Sequence, residues 1–397
     1  MQSRYKFISA LVMVGFLTVA VRAQQGINPI DVQRIDVQRI DVQSIEIQPA
    51  GIFAATRPDP PAGPVNLIDA IPVPGLPLAS TDITWVDQAT GRLFVTDRTN
   101  RSVDIFDAIN DVYVDRVSGY VGTGGTNGNG PNGVLVTPDN ILWVGDGNSM
   151  LVAADLNLSP PRIIQSISVG GPADGRADEL GYDPFERVIL VASNAARPPH
   201  ATFVSVDSYK VLGQVQFPDA TGLEQPVWDT QLHRFLLTVP ATPSSYVAVI
   251  DPRRMRVTKK YVIPNCSASA NGLVIGPFQR ILASACNQRP YIMSAIDGHV
   301  INMIKDVGGG DEVWYNNGDG RYYVADNANG LLGVIDAGTS TWIQNVPAPG
   351  IRNPSAFEGN NHIFAVVRSP AAGVRDTSVC VQFAIVDRGC IAVFSHN

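Results

Sequence analysis

The chain has 397 residues, 45% of them hydrophobic and only 16% charged, which is ample material for a large core, and it carries a formal charge of −7. That balance excludes a nucleic-acid binder working through a basic face and disfavours polyanionic partners. It favours a soluble globular chain.

Residues 1–23, MQSRYKFISALVMVGFLTVAVRA, combine a basic start, an apolar run from Phe7 to Val19 and a small-residue end at Val21-Arg22-Ala23. This is the pattern of a secretory signal peptide; the apolar run is short for a membrane anchor, the rival reading. Cleavage removes Arg4, Lys6 and Arg22 but no acid, leaving 36 acidic and 26 basic residues. The expected product is secreted, or held in the lumen of the secretory pathway, has no membrane contact after cleavage, and acts as a monomer. Residues 24–64 follow as a low-complexity arm in which Ile-Asp-Val-Gln-Arg recurs about every five residues, matching neither the helix nor the strand period. It reads as a solvated spacer, a partner-binding tail being the alternative, and the proline-rich RPDPPAGP at Arg57–Pro64 separates it from the folded part.

From residue 65 to residue 397 the chain repeats itself at the spacing of roughly 40–50 residues that marks a β-propeller blade. Seven segments place Asp, Gly, Pro or Asn between two apolar strands: VDQATGRLFVTD, VTPDNILWVGD, YDPFERVILVAS, WDTQLHRFLLTV, IGPFQRILASAC, YNNGDGRYYVAD and FEGNNHIFAVV. Third strands such as SVDIFD, YVAVID and LLGVID end in Asp107, Asp155, Asp207, Asp251, Asp297 and Asp336, most simply as turn formers. Fourth strands follow in six blades only. The last blade lacks one, whereas NLIDAIPVPG at Asn66–Gly75 resembles a fourth strand with nothing before it. Pairing the two hides both sheet edges and predicts an all-β, seven-bladed propeller closed by its N-terminal strand.

Export permits disulfides among Cys266, Cys286, Cys380 and Cys390. Of three possible pairings the two sequence-local ones, Cys266 with Cys286 and Cys380 with Cys390, are favoured, each joining neighbouring strands of one blade. A zinc site is disfavoured, since neither pair has CxxC spacing or an accompanying histidine. Asn100-Arg101-Ser102 and Asn265-Cys266-Ser267 fit the glycosylation acceptor pattern at Asn100 and Asn265.

In a propeller the first strand of each blade lines the central channel. The residues entering these strands are Asp82, Asn132, Asp178 with Glu179, Glu224, Asn271, Asp311 with Glu312, and Ser355. Carboxylates crowded at one mouth repel one another, so either a cation sits among them or some stay protonated. Trp85, Tyr182, Trp228 and Trp314 follow within a few positions and supply apolar surface beside hydrogen-bonding groups, as in a small-molecule pocket. The plain alternatives are strand caps and channel waters for the polar residues and inter-blade packing for the aromatics. GTGGTNGNGPNG at Gly122–Gly133 precedes a strand and lacks the phosphate-loop lysine, so it reads as a rim loop; no GxSxG elbow is present.

RADELGYDP, GLEQPVWD, GGDEVWYNNGDGRYYVAD, LGVIDAGT and GCIAVF resemble a broad group of exported microbial propellers allied with the gluconolactonase/SMP-30 and YncE-like superfamily. The whole chain is also similar to the fungal hetero-Diels–Alder cyclases of tropolone-sesquiterpenoid pathways. The second likeness implies a cyclase without organic cofactor, acting on a small-molecule quinone methide and an alkene, with acids drawn from Glu224, Glu312, Glu179 and Asp82 and substrate contacts from Asn132, Asn271, Asp311, Trp85, Trp228, Trp314 and Tyr182. The first implies instead a lactone hydrolase with Ca2+ held by choices among Glu179, Glu224, Asn132, Asn271 and Asp82. A non-catalytic binding propeller is the third reading.

Overall fold

The structure is a computed structural model that describes residues 63–125, 128–286 and 289–396. Residues 1–23, expected to be a signal peptide, and the repeat arm up to residue 62 lie outside the described residues. The folded part belongs to the compact unit Asp59–Asn397. Seven sheets of four antiparallel strands make up the fold, and among the described residues no helix is long and apolar enough to cross a membrane.

Each blade runs outward from a first strand at the centre: Thr81–Asp87, Val134–Thr137, Leu180–Asp183, Pro226–Asp229, Leu273–Ile275, Val313–Asn316 and Ile351–Phe357. First strands of successive blades touch, and the seventh touches the first, so the ring is closed. Second strands are covered by neighbouring blades on both faces and read as continuous apolar runs; in blade 6 every residue of Arg321–Asp326 is buried. Fourth strands form the outer edge and alternate, as in Val112–Ser118. Phe94, Trp143, Phe235, Tyr322 and Phe364, one from each of five second strands, are wholly buried, each stabilising the packing of adjacent blades by about 1.5–3 kcal/mol.

Hairpin chemistry follows the sequence. Gly91 and Gly320 hold the same turn position in blades 1 and 6 with φ of +66° and +72°, a conformation that favours glycine. Asp107, Asp155, Asp251, Asp297 and Asp336 accept hydrogen bonds from amides two or three residues on, as turn formers do. Asp207 differs, pairing with Arg187 at 2.7 Å.

The closing strand is Val65–Pro72, which pairs antiparallel with Cys390–His396 as the fourth strand of blade 7. It ends at Pro72, short of Gly75. Gln344 of blade 6 clamps its start, donating to the Val65 carbonyl at 2.8 Å and accepting from the Val65 amide at 3.0 Å. At the other chain end His396 Nε2 meets buried Asp319 of blade 6 at 2.9 Å.

Both disulfides are the local ones, Cys266–Cys286 and Cys380–Cys390. Neither joins neighbouring strands, however. Cys286 and Cys390 lie on strands, while Cys266 sits in the loop before blade 5 and Cys380 in the short 3-10 helix Val379–Phe383. Each bond therefore pins a long loop to its blade. Asn265 is exposed, whereas the Asn100 side chain is tied into a turn, accepting from the Leu76 amide at 2.8 Å and donating to Asp97 at 2.5 Å.

Candidate functional site

Backbone register sorts the polar residues at the start of the first strands into two tiers. In blades 2, 3 and 4 the amides of Asn132, Asp178 and Glu224 each donate to a second-strand carbonyl, and that residue's own amide returns to the carbonyl of Gly133, Glu179 or Gln225. Asn132, Asp178 and Glu224 thus form an outer tier with Asp82, Asn271, Asp311 and Arg352, and the next residue along the chain faces one step further into the channel. Blade 7 contributes Asn353 to the inner tier, not Ser355, which lies within its strand: a bulge between Arg352 and Pro354 shifts the register. Blades 2 and 5 contribute only Gly133 and Gly272. A Cβ at Gly133 would stand 2.3 Å from the Asp178 carbonyl oxygen, and one at Gly272 2.6 Å from that of Asp311, so the close approach of the next blade forbids a side chain there.

The outer tier is largely matched by the protein's own cations. Arg98 binds Asp82 at 2.5 Å and donates twice to Asn132 Oδ1, at 2.9 and 2.6 Å. Asn132 in turn donates to the Ala177 and Asn129 carbonyls at 2.7 and 2.9 Å. Arg176 pairs with Asp178 at 2.9 Å, and Arg368 reaches across from blade 7 to the Thr81 carbonyl. Burial still pushes the Asp82 carboxyl up to about 7 against the downward pull of Arg98. Asp82, Arg98, Asn132 and Asp178 are nearly inaccessible, whereas Glu224, Asn271, Asp311 and Arg352 on the opposite arc are partly exposed. Asn271 donates to Asp311 at 3.2 Å.

The inner tier is different. Glu179 and Glu312 are 5% and 3% exposed and face each other's charge with no cation bound to either. Glu312 accepts from the Thr84 amide at 3.4 Å and from Gln225 Nε2 at 3.3 Å. Glu179 Oε2 is buried with no hydrogen-bond partner among the described residues. Burial first, then the Glu312 and Glu224 carboxylates, holds the Glu179 pKa well above the usual range; burial and then Asp311 does the same for Glu312. Glu224 is likewise raised, by burial and then by Asp178 and Asp311. The inner acids therefore hold their protons to higher pH than ordinary glutamates do.

From this tier a cavity of about 350 Å³ runs down the channel, with Glu179, Gln225 and Glu312 at one end and Trp85, Tyr182 and Trp228 at the other. Ile83, Leu135, Val227 and Ile275 complete an apolar wall. Trp85, Tyr182 and Trp228 are partly exposed while the acids are not, so the cavity opens on the face of the first hairpin turns. That is the face opposite to the one expected from the position of the acids. The indole N–H groups of Trp85 and Trp228 have no partner among the described residues. Trp314 stands behind the wall, edge-on to Trp85 at 5.7 Å, and packs between blades. Of the residues expected at the site, then, Glu179, Glu312, Trp85, Tyr182 and Trp228 share one cavity, while Asp82, Asn132, Glu224, Asn271 and Asp311 belong to the outer tier and do not line it. A larger depression of about 590 Å³ lies outside the channel around Phe185 and His233, but its ions are already paired, Arg253 with Glu186 and both Arg234 and Arg254 with Asp251.

The residue set suggested for Ca2+ loses Asn132 to the protein's own guanidinium. Among the described residues no three His, Cys, Asp or Glu side chains come together as a metal-holding group. What sequence reasoning missed were the arginines. Arg98 and Arg368 each follow directly after a second strand, in RLFVTDR and HIFAVVR, and hairpin topology returns that position to the same face as the acids.

No protein-family model and no curated protein sequence matches the chain. Solved structures do match in shape. Hydrazine synthase of Kuenenia stuttgartiensis superposes with a TM-score of 0.62 at 14% identity, over 74% of this chain and 93% of that one. A chain of the mitotic checkpoint complex superposes with a TM-score of 0.63 at 11% identity, over 92% of this chain and 100% of that one. At such identities the likeness is one of fold.

Proposed function

We propose that the protein is a cofactor-independent cyclase of the hetero-Diels–Alder type, an exported enzyme acting on small hydrophobic molecules. The observation that carries this reading is the pair Glu179 and Glu312: two buried acids with no counter-cation among the described residues, their pKa values raised by burial, at the closed end of an aromatic-walled cavity. A neutral carboxylic acid in a dry site donates a strong hydrogen bond to a carbonyl oxygen. In a quinone methide that oxygen is one end of the heterodiene, and polarising it draws electron density toward the ring being formed. Cycloaddition with an alkene then makes one C–C and one C–O bond, and the carbonyl oxygen becomes the ring ether oxygen. All atoms are retained, and the acid keeps its proton. Trp85, Tyr182 and Trp228 hold the planar diene and exclude water, so that much of the rate comes from orientation.

The test pairs an ortho-quinone methide generated in situ with a disubstituted alkene and reads rate and enantiomeric excess. Wild type is expected to give enantioenriched dihydropyran above background. Glu179→Leu and Glu312→Leu should lose roughly 100-fold each, as for removal of one oxyanion donor, and the Gln variants less. Racemic product at the background rate with wild type would reduce the protein to a binding propeller.

A further inference from the structure

On the face of the outer tier, beneath the loop that joins the second and third strands of blade 7, lies a groove of about 570 Å³. Three guanidiniums line it, Arg352, Arg368 and Arg375, against one carboxylate, Asp376. Both oxygens of Asp376 are already committed to the loop itself, accepting from the Ser378 and Asp387 amides at 2.9 and 2.8 Å. Arg368 is anchored on the Thr81 carbonyl and hydroxyl. The guanidiniums of Arg352 and Arg375 have no hydrogen bond or ion pair among the described residues, although Arg352 also borders a depression that Asp311 lines.

Two further features favour a ligand. The Ser378 hydroxyl, on the wall of the groove, is buried and, among the described residues, has only the Asp376 carboxyl near it. Burial first, and then repulsion from the nearby Arg352, draws the Arg368 pKa down to about 10 against the upward pull of Asp82 and Asp311. An anion seated between them relieves the repulsion and takes bidentate hydrogen bonds from the planar forks. Beside Ser369 and Thr377, an apolar stretch of the wall made by Ala79, Pro370, Ala371 and Val374 suits a ligand with a short hydrocarbon body.

We propose that this groove binds a small organic carboxylate, the acid group between Arg352, Arg368 and Arg375 and the apolar portion along Pro370 and Val374. The site is separate from the channel cavity, which shares none of these residues.

Calorimetric titration of the folded chain with hexanoate, hexanol and inorganic phosphate tests the proposal. Hexanoate should bind, more weakly as NaCl is raised, with hexanol and phosphate much weaker. Arg352→Ala and Arg375→Ala should each weaken hexanoate roughly tenfold, the loss of one charge-assisted contact, with unliganded melting temperatures unchanged. On the unaltered protein, hexanoate should protect Arg352 and Arg375 from phenylglyoxal, read by peptide mass spectrometry. Hexanol or phosphate binding as well as hexanoate, variants that bind like wild type, or arginines modified equally with and without hexanoate would each overturn it.

Discussion

Asp178 and Glu179 are adjacent in the chain, as are Asp311 and Glu312, yet the first of each pair belongs to a charged layer and the second to a dry one. Asp178 has Arg176 at 2.9 Å; Glu179, one residue further in, has a buried oxygen with no partner and another acid across the channel. One step along the strand changes the medium from an ion-paired plug to an apolar tube. The acidic ring is thus two devices: an outer one in which Arg98 and Arg176 pair with Asp82 and Asp178, and an inner one in which Glu179 and Glu312 are buried without such a partner among the described residues.

The contrast is sharpest if each layer is broken separately. Arg98→Ala leaves Asp82 and the Asn132 carbonyl buried without their partner, and should cost about 3–5 kcal/mol in urea denaturation, as for other broken buried pairs. A loss under about 1 kcal/mol, the size of a surface pair, would mean that the outer tier is wet.

Both layers read out through pH. Glu179, Glu224 and Glu312 titrate above their unfolded values, and Asp82 at about 7. Buried Asp104 and Asp146, in blades 1 and 2, move the same way, to about 7 and about 6. Such groups keep protons in the folded state that the unfolded chain has released. The stability they contribute is fully present below pH about 4 and is lost as pH rises through about 7 and beyond. Unfolding free energy should therefore fall from pH 5 to pH 8, and Glu179→Gln should make the decline shallower. A rise with pH, or an unchanged slope in the variant, contradicts a protonated inner tier.

The smallest effect concerns the aromatic wall. A double-mutant cycle on Trp85 and Trp314 should give a coupling of about 0.5–1.5 kcal/mol, the value of an edge-on aromatic pair. Zero coupling would place the two rings in independent environments.

Much of this was legible in the residues. Seven hairpin turns, strand-end aspartates and an orphan fourth strand near the N-terminus specify a closed ring, because each is a local statement about turns or unpaired edges. The Asn-Gly pairs at Asn132-Gly133 and Asn271-Gly272 also mark a common feature, the narrow passages where one blade crosses close to the next. Less legible was which way the site opens. Trp85, Tyr182 and Trp228 follow the acids in sequence, but only the packed ring shows the acids sealed by Arg98 and the aromatics facing solvent.

The sequence by itself determined the number of blades, their order and the strand that closes them, since these depend on periodicity and on backbone groups that must be paired. Tertiary structure alone decided which acids are buried without a counter-charge. Arg98 returns to Asp82 through a single hairpin, whereas Gln225 lies 87 residues from Glu312 and no local rule links those two. A carboxyl group's protonation depends on what surrounds it in space, and around a ring those surroundings come from strands far apart in the chain.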